Sequence, residues 1–284
     1  MACSDSDYMY LRNLVLAQSS NLIDPSRNAL FDTRLTPMAR LAGVTNLEEF
    51  VGVLRKDTRP QLHRAVAETM TINETSFFRD GLPFEMLRKT VLPELIALRR
   101  GQRRLRIWSA ASSTGQEAYS IAMLLCEHFP EVADWDVKIV GTDLSREVIE
   151  VARAGRYRRI DVNRGLPVRM LMKYLERDGE MWEMCARAQG MCEFQQLNLC
   201  AGFASSLEVT GLPGLPEFDL VLLRNMLLYF SQPDRSQVFS KVRRQMSGDG
   251  YLLLGNAEQA EDSTKLFAVE FAAGCYVYRP ANAT

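Results

Sequence analysis

The stretch Leu105-Arg-Ile-Trp-Ser-Ala-Ala-Ser-Ser-Thr-Gly115-Gln-Glu-Ala-Tyr119-Ser predicts how the larger part of this chain folds. Its beginning is typical of a short apolar strand, and an apolar run with helical spacing continues beyond its end. The small residues between them let a ligand approach the backbone, where amide groups at a helix N-terminus favour an anionic or strongly polar group. With a single glycine, the turn departs from the Gly-x-Gly-x-x-Gly pattern of dinucleotide-binding folds. A close-packed turn without a ligand is the structural alternative.

Further strand patterns follow this unit, separated by helical ones. Apolar strands are predicted at Val137–Gly141, Phe194–Leu199, Phe218–Leu223, Tyr251–Gly255 and Gly274–Tyr278. Alternating strands and helices predict an α/β fold, with a doubly wound, Rossmann-like sheet.

The remaining stretches predict the other parts of the chain. An amphipathic helix is expected from near Tyr8, and another follows Thr45-Asn46, which can cap it. We therefore predict an all-helical N-terminal domain over residues 1–70, a linker with a ligand clamp over 71–104, and the α/β domain over 105–284. A small inserted β subdomain is expected at about 163–193, because the alternation of strands and helices is interrupted there. Within it, Met181-Trp-Glu-Met is expected to pair with Met191-Cys-Glu-Phe.

Composition excludes several classes of protein. The apolar fraction of 47% and charged fraction of 24% are ordinary for a globular chain, and the net charge of −1 favours neither nucleic acid nor a membrane surface. No apolar run is long enough to span a bilayer, and the N-terminus lacks the pattern of a signal peptide, so a cytoplasmic monomer without membrane insertion is expected. Two histidines and six cysteines without a Cys-x-x-Cys pair predict no metal site.

Several motifs occur together in a fixed order. Asn73-Glu-Thr-Ser-Phe-Phe-Arg79-Asp precedes the small-residue turn, and three further motifs follow it: Gly141-Thr-Asp143-Leu-Ser, Leu197-Asn-Leu199 and Leu223-Arg-Asn-Met-Leu-Leu-Tyr229-Phe. In this order the motifs resemble the chemotaxis receptor methyltransferase (CheR) family over roughly residues 70 to 278. The resemblance implies a bacterial enzyme that transfers a methyl group from S-adenosylmethionine to receptor glutamates, leaving S-adenosylhomocysteine. It needs no metal.

Residue chemistry assigns parts of a cosubstrate pocket. Asp143 ends a strand where an acidic residue accepts hydrogen bonds from ribose hydroxyls, although it can also cap the next helix. Arg224 and Asn225 follow a buried strand at its carboxyl end, and a buried arginine requires a partner such as a ligand carboxylate. The resemblance implies the same pocket, with Glu117 pairing with the methionine ammonium group and with Asn198 and Leu199 against adenine.

The resemblance also extends to the clamp and to catalysis. It implies that Asn73, Thr75 and Arg79 bind the cosubstrate beside Gly115, and that Arg79 also serves the transfer step. Tyr229 is a candidate for orienting the attacking oxygen by its hydroxyl group, and its alternative role is packing beside Phe230. One departure is Ala118, which stands where many relatives have proline.

Partner contacts form the last group of predictions. Arg55, Lys56 and Arg59 are candidates for binding the cytoplasmic helical region of chemotaxis receptors, which would recruit the protein to membrane receptor arrays; a solvated helix face is the alternative. The β subdomain is a candidate dock for a receptor C-terminal tail. Two other hypotheses stay open: a related methyltransferase with another acceptor, and a non-catalytic sensor of S-adenosylmethionine.

Overall fold

The computed structural model describes residues 3–57, 59–200, 217–260 and 265–281. The chain forms two compact units. The first contains the residues as far as Ile72 together with Tyr229–Arg235, and the second contains Asn73–Leu228 and the residues from Ser236 onwards. No helix in these described ranges is long and apolar enough to cross a membrane.

The first unit is built from helices. They are α1 (Asp5–Ser19), a 3-10 turn (Pro25–Arg27), α2 (Ala29–Leu41), α3 (Leu47–Lys56) and α4 (Pro60–Thr69). The side chain of Ser4 caps α1 by accepting from the Asp7 amide, and that of Asn46 caps α3 by accepting from the Glu49 amide, so each cap accepts a bond from a free N-terminal N–H. The apolar faces bury Leu11, Val15, Phe31, Leu35, Phe50, Leu54 and Val66 in one core. The predicted helical N-terminal region is therefore present.

Ten strands lie in the described part of the second unit. They are β1 (Arg104–Ser109), β2 (Asp136–Asp143), β3 (Arg156–Arg158), β4 (Leu175–Asp178), β5 (Met181–Met184), β6 (Cys192–Gln196), β7 (Phe218–Leu223), β8 (Met246–Leu254), β9 (Phe267–Ala272) and β10 (Cys275–Pro280). Seven of them form a sheet in the order β6-β2-β1-β7-β8-β10-β9. The first five of these pair in parallel and β10 is antiparallel to both neighbours. The predicted α/β, Rossmann-like fold class is confirmed.

The remaining helical segments of the described residues begin at Leu82. They are α5 (Leu82–Met86), a π-helix (Leu87–Val91), α6 (Leu92–Arg99), α7 (Gln116–His128), a 3-10 turn (Pro130–Val132), α8 (Arg146–Ala154), α9 (Arg159–Val162), α10 (Val168–Tyr174), α11 (Ala186–Gln189), a 3-10 turn (Leu227–Tyr229) and α12 (Gln232–Arg244). The segment 71–104, expected as a linker, differs from that expectation: from Leu82 to Arg99 it is continuous helix, and Phe84, Leu87 and Leu92 are buried in the core of the second unit.

The small sheet has the order β3-β5-β4 and is antiparallel. The predicted pairing of Met181–Met184 with Met191–Phe194 is wrong. Met181–Met184 pairs with β3 and β4, whereas Cys192–Gln196 lies at the edge of the large sheet, parallel to β2. The small sheet thus includes β3 (Arg156–Arg158), which lies shortly after α8. This strand is too short to show an alternating pattern in the sequence.

Two arginines of the basic run from Arg99 to Arg106 are buried. Arg99 is 7% exposed and its Nε donates to Asp219 Oδ1 at 2.6 Å, while Arg106 is 6% exposed and its guanidinium pairs with Asp136. These arginines pair with carboxylates near the amino ends of β2 and β7. Their charges stabilise the fold in the interior, so they are not available as a basic surface.

Candidate active site

The predicted pocket residues of the second unit come from strands β1, β2 and β7. These strands are adjacent and parallel, so their carboxyl ends meet at one edge of the sheet. Asp143 ends β2, Arg224 directly follows β7, and the turn after β1 leads to Glu117 in the first turn of α7. Ligands of open α/β sheets bind at this edge.

Arg224 is the most buried charged group at this edge. Its side chain is 1% exposed, Nη1 donates to Glu117 Oε2 at 2.9 Å and Nη2 donates to Asp80 Oδ2 at 2.8 Å. Ser109 donates its hydroxyl to the other Glu117 oxygen at 2.7 Å. Sequence analysis predicted both Arg224 and Glu117 as ligand contacts, and the structure brings them together as an ion pair.

The turn after β1 requires glycine at position 115. Gly115 has a φ of +93°, in the left-handed region, and a Cβ there would lie 2.9 Å from the Ala152 Cβ. The Tyr157 hydroxyl donates to the Thr114 carbonyl oxygen at 2.8 Å. The backbone of this turn is therefore held in one conformation by close packing and by a hydrogen bond from β3.

Asp143 is half-buried, and backbone amides bind its carboxylate. Oδ2 accepts from the Ser113 amide at 2.9 Å, and Oδ1 accepts from the Ser145 amide at 3.0 Å. Ser145 occupies the N-cap position of α8 without a side-chain capping bond. Asp143 thus joins the turn after β1 to the start of α8, and the two roles considered for it, helix capping and ribose binding, are not exclusive, because each carboxylate oxygen can accept more than one bond.

The clamp segment packs beside the same turn. The Ser113 hydroxyl donates to the Asn73 carbonyl oxygen at 2.8 Å, and the Phe78 amide donates to the Ser120 hydroxyl at 2.9 Å. Phe77 is fully buried, with its ring edge-on to Tyr157 at 5.1 Å between centroids. Thr75 is half-buried. These contacts place the segment of Asn73 and Thr75 against the Gly115 turn.

Arg79, on the same segment, is half-buried, and its Nη1 donates to the Glu74 carbonyl oxygen at 2.8 Å. The Arg79 carbonyl oxygen accepts from Arg224 Nη2 at 3.1 Å. The backbone of Arg79 thus touches the Arg224 cluster, while its guanidinium is directed to the clamp backbone.

The third group of predicted residues follows β6 and β7. The Asn198 carboxamide oxygen accepts from the Cys200 amide at 2.9 Å, and Leu199 is 6% exposed. Asn225 has a φ of +59°, and its amide donates to Glu258 Oε2 at 2.7 Å.

Sequence reasoning missed two carboxylates here, Asp80 and Glu258. Asp80 directly follows Arg79, which was a usable signal, whereas no pattern marks Glu258, a residue beyond the end of β8.

The remaining predicted residues lie in the first unit. Tyr229 ends the 3-10 turn Leu227–Tyr229, and its carbonyl oxygen accepts from the Leu22 amide at 2.8 Å. Arg55 pairs with Asp7 at 2.9 Å and Arg59 pairs with Asp57 at 2.6 Å. Both arginines of the proposed basic group therefore have carboxylate partners within their own unit, which lowers the net positive charge of that group.

The pocket residues offer groups that match those of S-adenosylmethionine. Arg224 Nε and Ser112 Oγ are among the buried side-chain polar atoms that have no hydrogen-bond partner within the described part of the chain. Buried polar groups normally have partners, so such atoms indicate a ligand or water in the working protein. The cationic Arg224 and anionic Glu117 match the carboxylate and ammonium of a methionine moiety, and Asp143 offers acceptor oxygens to ribose hydroxyls. The residues fit the cosubstrate.

Comparisons with known proteins agree with this geometry. The model of the family described as "CheR methyltransferase, SAM binding domain" matches residues 73–274, where SAM is S-adenosylmethionine. Chemotaxis protein methyltransferase 1 of Pseudomonas aeruginosa is 35% identical over 263 residues, which cover 91% of this chain and 92% of that protein. Chemotaxis protein methyltransferase Cher2 of Pseudomonas putida is 32% identical over 262 residues, covering 91% of this chain and 92% of that protein. This chain is therefore a member of the CheR methyltransferase family, with a domain that binds S-adenosylmethionine.

Proposed function

We propose that this protein transfers the methyl group of S-adenosylmethionine to glutamate side chains of chemotaxis receptors, in sensory adaptation. The products are glutamate methyl esters and S-adenosylhomocysteine. The observation that carries the proposal is the buried Arg224, which is held between Glu117 and Asp80 and whose Nε has no partner among the described residues at the edge where the strands end.

The cosubstrate would bind across the carboxyl ends of the three strands. Arg224 would attract the carboxylate of the methionine moiety, and Glu117 the ammonium group, while Ser109 keeps the Glu117 carboxylate oriented. Asp143 would accept from ribose hydroxyls, and Asn198 and Leu199 would contact adenine. Asn73, Thr75 and Arg79, on the clamp segment, would contact the cosubstrate from the side of the Gly115 turn.

The transfer step requires no general base. A glutamate with a pKa of about 4.3 is already a carboxylate at neutral pH. One carboxylate oxygen forms a bond to the methyl carbon while the carbon–sulfur bond breaks. The electron pair of the broken bond stays on sulfur, which thereby loses its positive charge. No proton moves. The protein therefore has to exclude water from the acceptor and align it with the departing sulfur, and Arg79 and Tyr229 are the proposed orienting groups.

The first unit would supply the receptor contact. Arg59 has a side chain that is 76% exposed, and Arg55 one that is 45% exposed, so both can exchange their present carboxylate partners for acidic groups of a helical receptor segment. Lys56 adds a third positive charge next to Arg55, at the end of α3. We also propose that the small sheet of β3, β5 and β4 accepts a receptor C-terminal tail.

Incubation with methyl-labelled S-adenosylmethionine and receptor-containing membranes tests the reaction. Label should enter receptors and leave them as methanol in mild alkali, because esters hydrolyse under conditions that leave N-methyl groups intact. Label that stays on the receptor in alkali, or enters only other proteins, would contradict the glutamate assignment.

Charge reversal tests the receptor contact. The double change Arg55→Glu and Arg59→Glu should lower receptor methylation, while the affinity for S-adenosylhomocysteine stays unchanged. Arg27→Glu with Arg40→Glu makes the same charge change at other exposed positions of this unit and serves as the control. An equal loss in both double variants would show that net charge, and not this surface, attracts the receptor.

A further inference from the structure

Glu258 is a buried carboxylate that the predicted pocket does not include. It is 7% exposed and lies beyond the end of β8. Oε2 accepts from the Asn225 amide at 2.7 Å and from the Gly255 amide at 2.8 Å, and Oε1 accepts from the Leu227 amide at 2.6 Å. Hydrogen bonds to a charged acceptor are stronger than neutral ones, so this carboxylate fixes three backbone groups at once.

Two of these backbone groups belong to the turn that follows β7. Asn225 adopts a φ of +59°, a left-handed conformation that non-glycine residues rarely adopt without support. Glu258 binds the amide of Asn225 and that of Leu227 two residues later, so it bridges the turn from one side. Arg224, whose side chain holds Glu117 and Asp80, is the residue immediately before this turn.

We propose that Glu258 is a positioning residue for the cosubstrate pocket: it holds the turn that orients Arg224 and Asn225. The inference rests on the proposed function, because it takes this edge of the sheet as the cosubstrate site. Glu258 touches the backbone of the turn and would act on the cosubstrate only through it.

Gly255 shows how closely the end of β8 approaches the turn. A Cβ at this position would lie 2.6 Å from Glu258 Oε2 and 2.9 Å from the backbone nitrogen of Asn225. Gly255 does not have a positive φ, so alanine there has no backbone strain of its own. A methyl group at position 255 would therefore push the carboxylate and the turn apart without changing any charge.

The first test is Glu258→Gln, with Glu270→Gln on the exposed part of β9 as the control. A glutamine amide nitrogen must face one of the backbone N–H donors, so at least one bond is replaced by a donor–donor contact. We expect the affinity for S-adenosylhomocysteine, measured by calorimetry on folded protein, to fall about ten- to a hundredfold, the range of one hydrogen bond to a charged group. The control should bind as the wild type does.

The second test is Gly255→Ala, with Gly248→Ala on β8 as the control. A Cβ at Gly248 meets nothing within 4 Å, so this change adds the same methyl group in open space. Gly255→Ala, like Glu258→Gln, should lower the affinity for S-adenosylhomocysteine, whereas Gly248→Ala should leave it unchanged. This pair decides the question if Glu258→Gln does not fold.

The outcomes separate the positioning role from the proposed function. Variants that melt at a lower temperature but bind S-adenosylhomocysteine within about twofold of the wild type would show that Glu258 only stabilises the fold. A wild-type chain that does not bind S-adenosylhomocysteine would contradict the proposed function itself. Wild-type binding that is lost in both Glu258→Gln and Gly255→Ala, with folded controls intact, supports the positioning role.

Discussion

Two buried arginines lie at opposite ends of the same parallel strands. Arg99 lies at the amino ends, where Nε donates to Asp219, Nη1 to Asp249 and Nη2 to Ser247 and Asp249, so that every guanidinium nitrogen has a partner. Arg224 lies at the carboxyl ends, and its Nε has no partner among the described residues. Both are buried charges with two carboxylate partners. We call Arg99 with Asp219 and Asp249 the saturated cluster, because every guanidinium nitrogen has a partner, and it serves the fold. Arg224 with Glu117 and Asp80 is the unsaturated cluster, because Nε can still bind a ligand.

The largest expected effect is on stability at the saturated cluster. Arg99→Met leaves the Asp219 carboxylate buried without its cation, and loss of one partner of a buried pair costs about 3–5 kcal/mol. Urea unfolding would measure the free energy of unfolding, and calorimetry on the folded fraction should give an unchanged affinity for S-adenosylhomocysteine. A folded Arg99→Met variant that does not bind S-adenosylhomocysteine would show that the Arg99 cluster also contributes to ligand binding.

The same substitution at the other cluster should affect binding. Arg224→Met removes the proposed contact with the cosubstrate carboxylate, and we expect a loss of about 1.5–3 kcal/mol in the binding free energy of S-adenosylhomocysteine. Calorimetry measures it directly, with Arg99→Met as the matched control. Equal affinities in the two variants would show that Arg224, like Arg99, serves the fold alone.

A smaller effect is expected at the transfer step. Tyr229→Phe should lower turnover about tenfold, equivalent to about 1.4 kcal/mol of barrier, if the hydroxyl orients the acceptor carboxylate. The affinity for S-adenosylhomocysteine should stay the same because the ring is retained. Initial rates with receptor membranes at saturating cosubstrate give the answer, and unchanged turnover would return Tyr229 to a packing role.

The smallest expected effect is the acid sensitivity of the saturated cluster. Hydrogen bonds from Arg99 hold the pKa of Asp249 well below its usual range. The carboxylate therefore contributes stability above the unfolded-state pKa of about 3.9, and this contribution is lost as the pH falls towards the folded-state pKa. Since the Asp249 side chain is 42% exposed, we expect about 1 kcal/mol or less.

Urea unfolding at pH 6 and pH 3 measures the contribution of the Asp249 carboxylate to the free energy of unfolding, with Asp249→Asn for comparison. The wild type should lose more stability between the two pH values than the variant does, because asparagine does not titrate. Equal losses would assign the acid sensitivity to other carboxylates.

Sequence reasoning identified the edge of the sheet but not the pairs within it. Asp143 and Arg224 were predictable because each directly follows an apolar strand, and parallel strands bring such positions together. The partnership of Arg224 with Asp80 was not predictable, because 144 residues separate the two in the chain and no local pattern links them. The burial of Arg99 was not predictable for the same reason, because its partners Asp219 and Asp249 are 120 and 150 residues away in the chain.

The sequence by itself determined the five parallel strands of the large sheet, the small-residue turn at Gly115 and the family, because these depend on local pattern and motif spacing. Tertiary structure decided which charges are saturated. It made Arg99 a structural cation, left Arg224 Nε without a partner within the described ranges and brought Glu258 into hydrogen-bonding contact with the turn of Asn225. The physical reason is that the free energy of a buried charge depends on every donor and acceptor within hydrogen-bonding distance, and packing, not sequence separation, selects those neighbours.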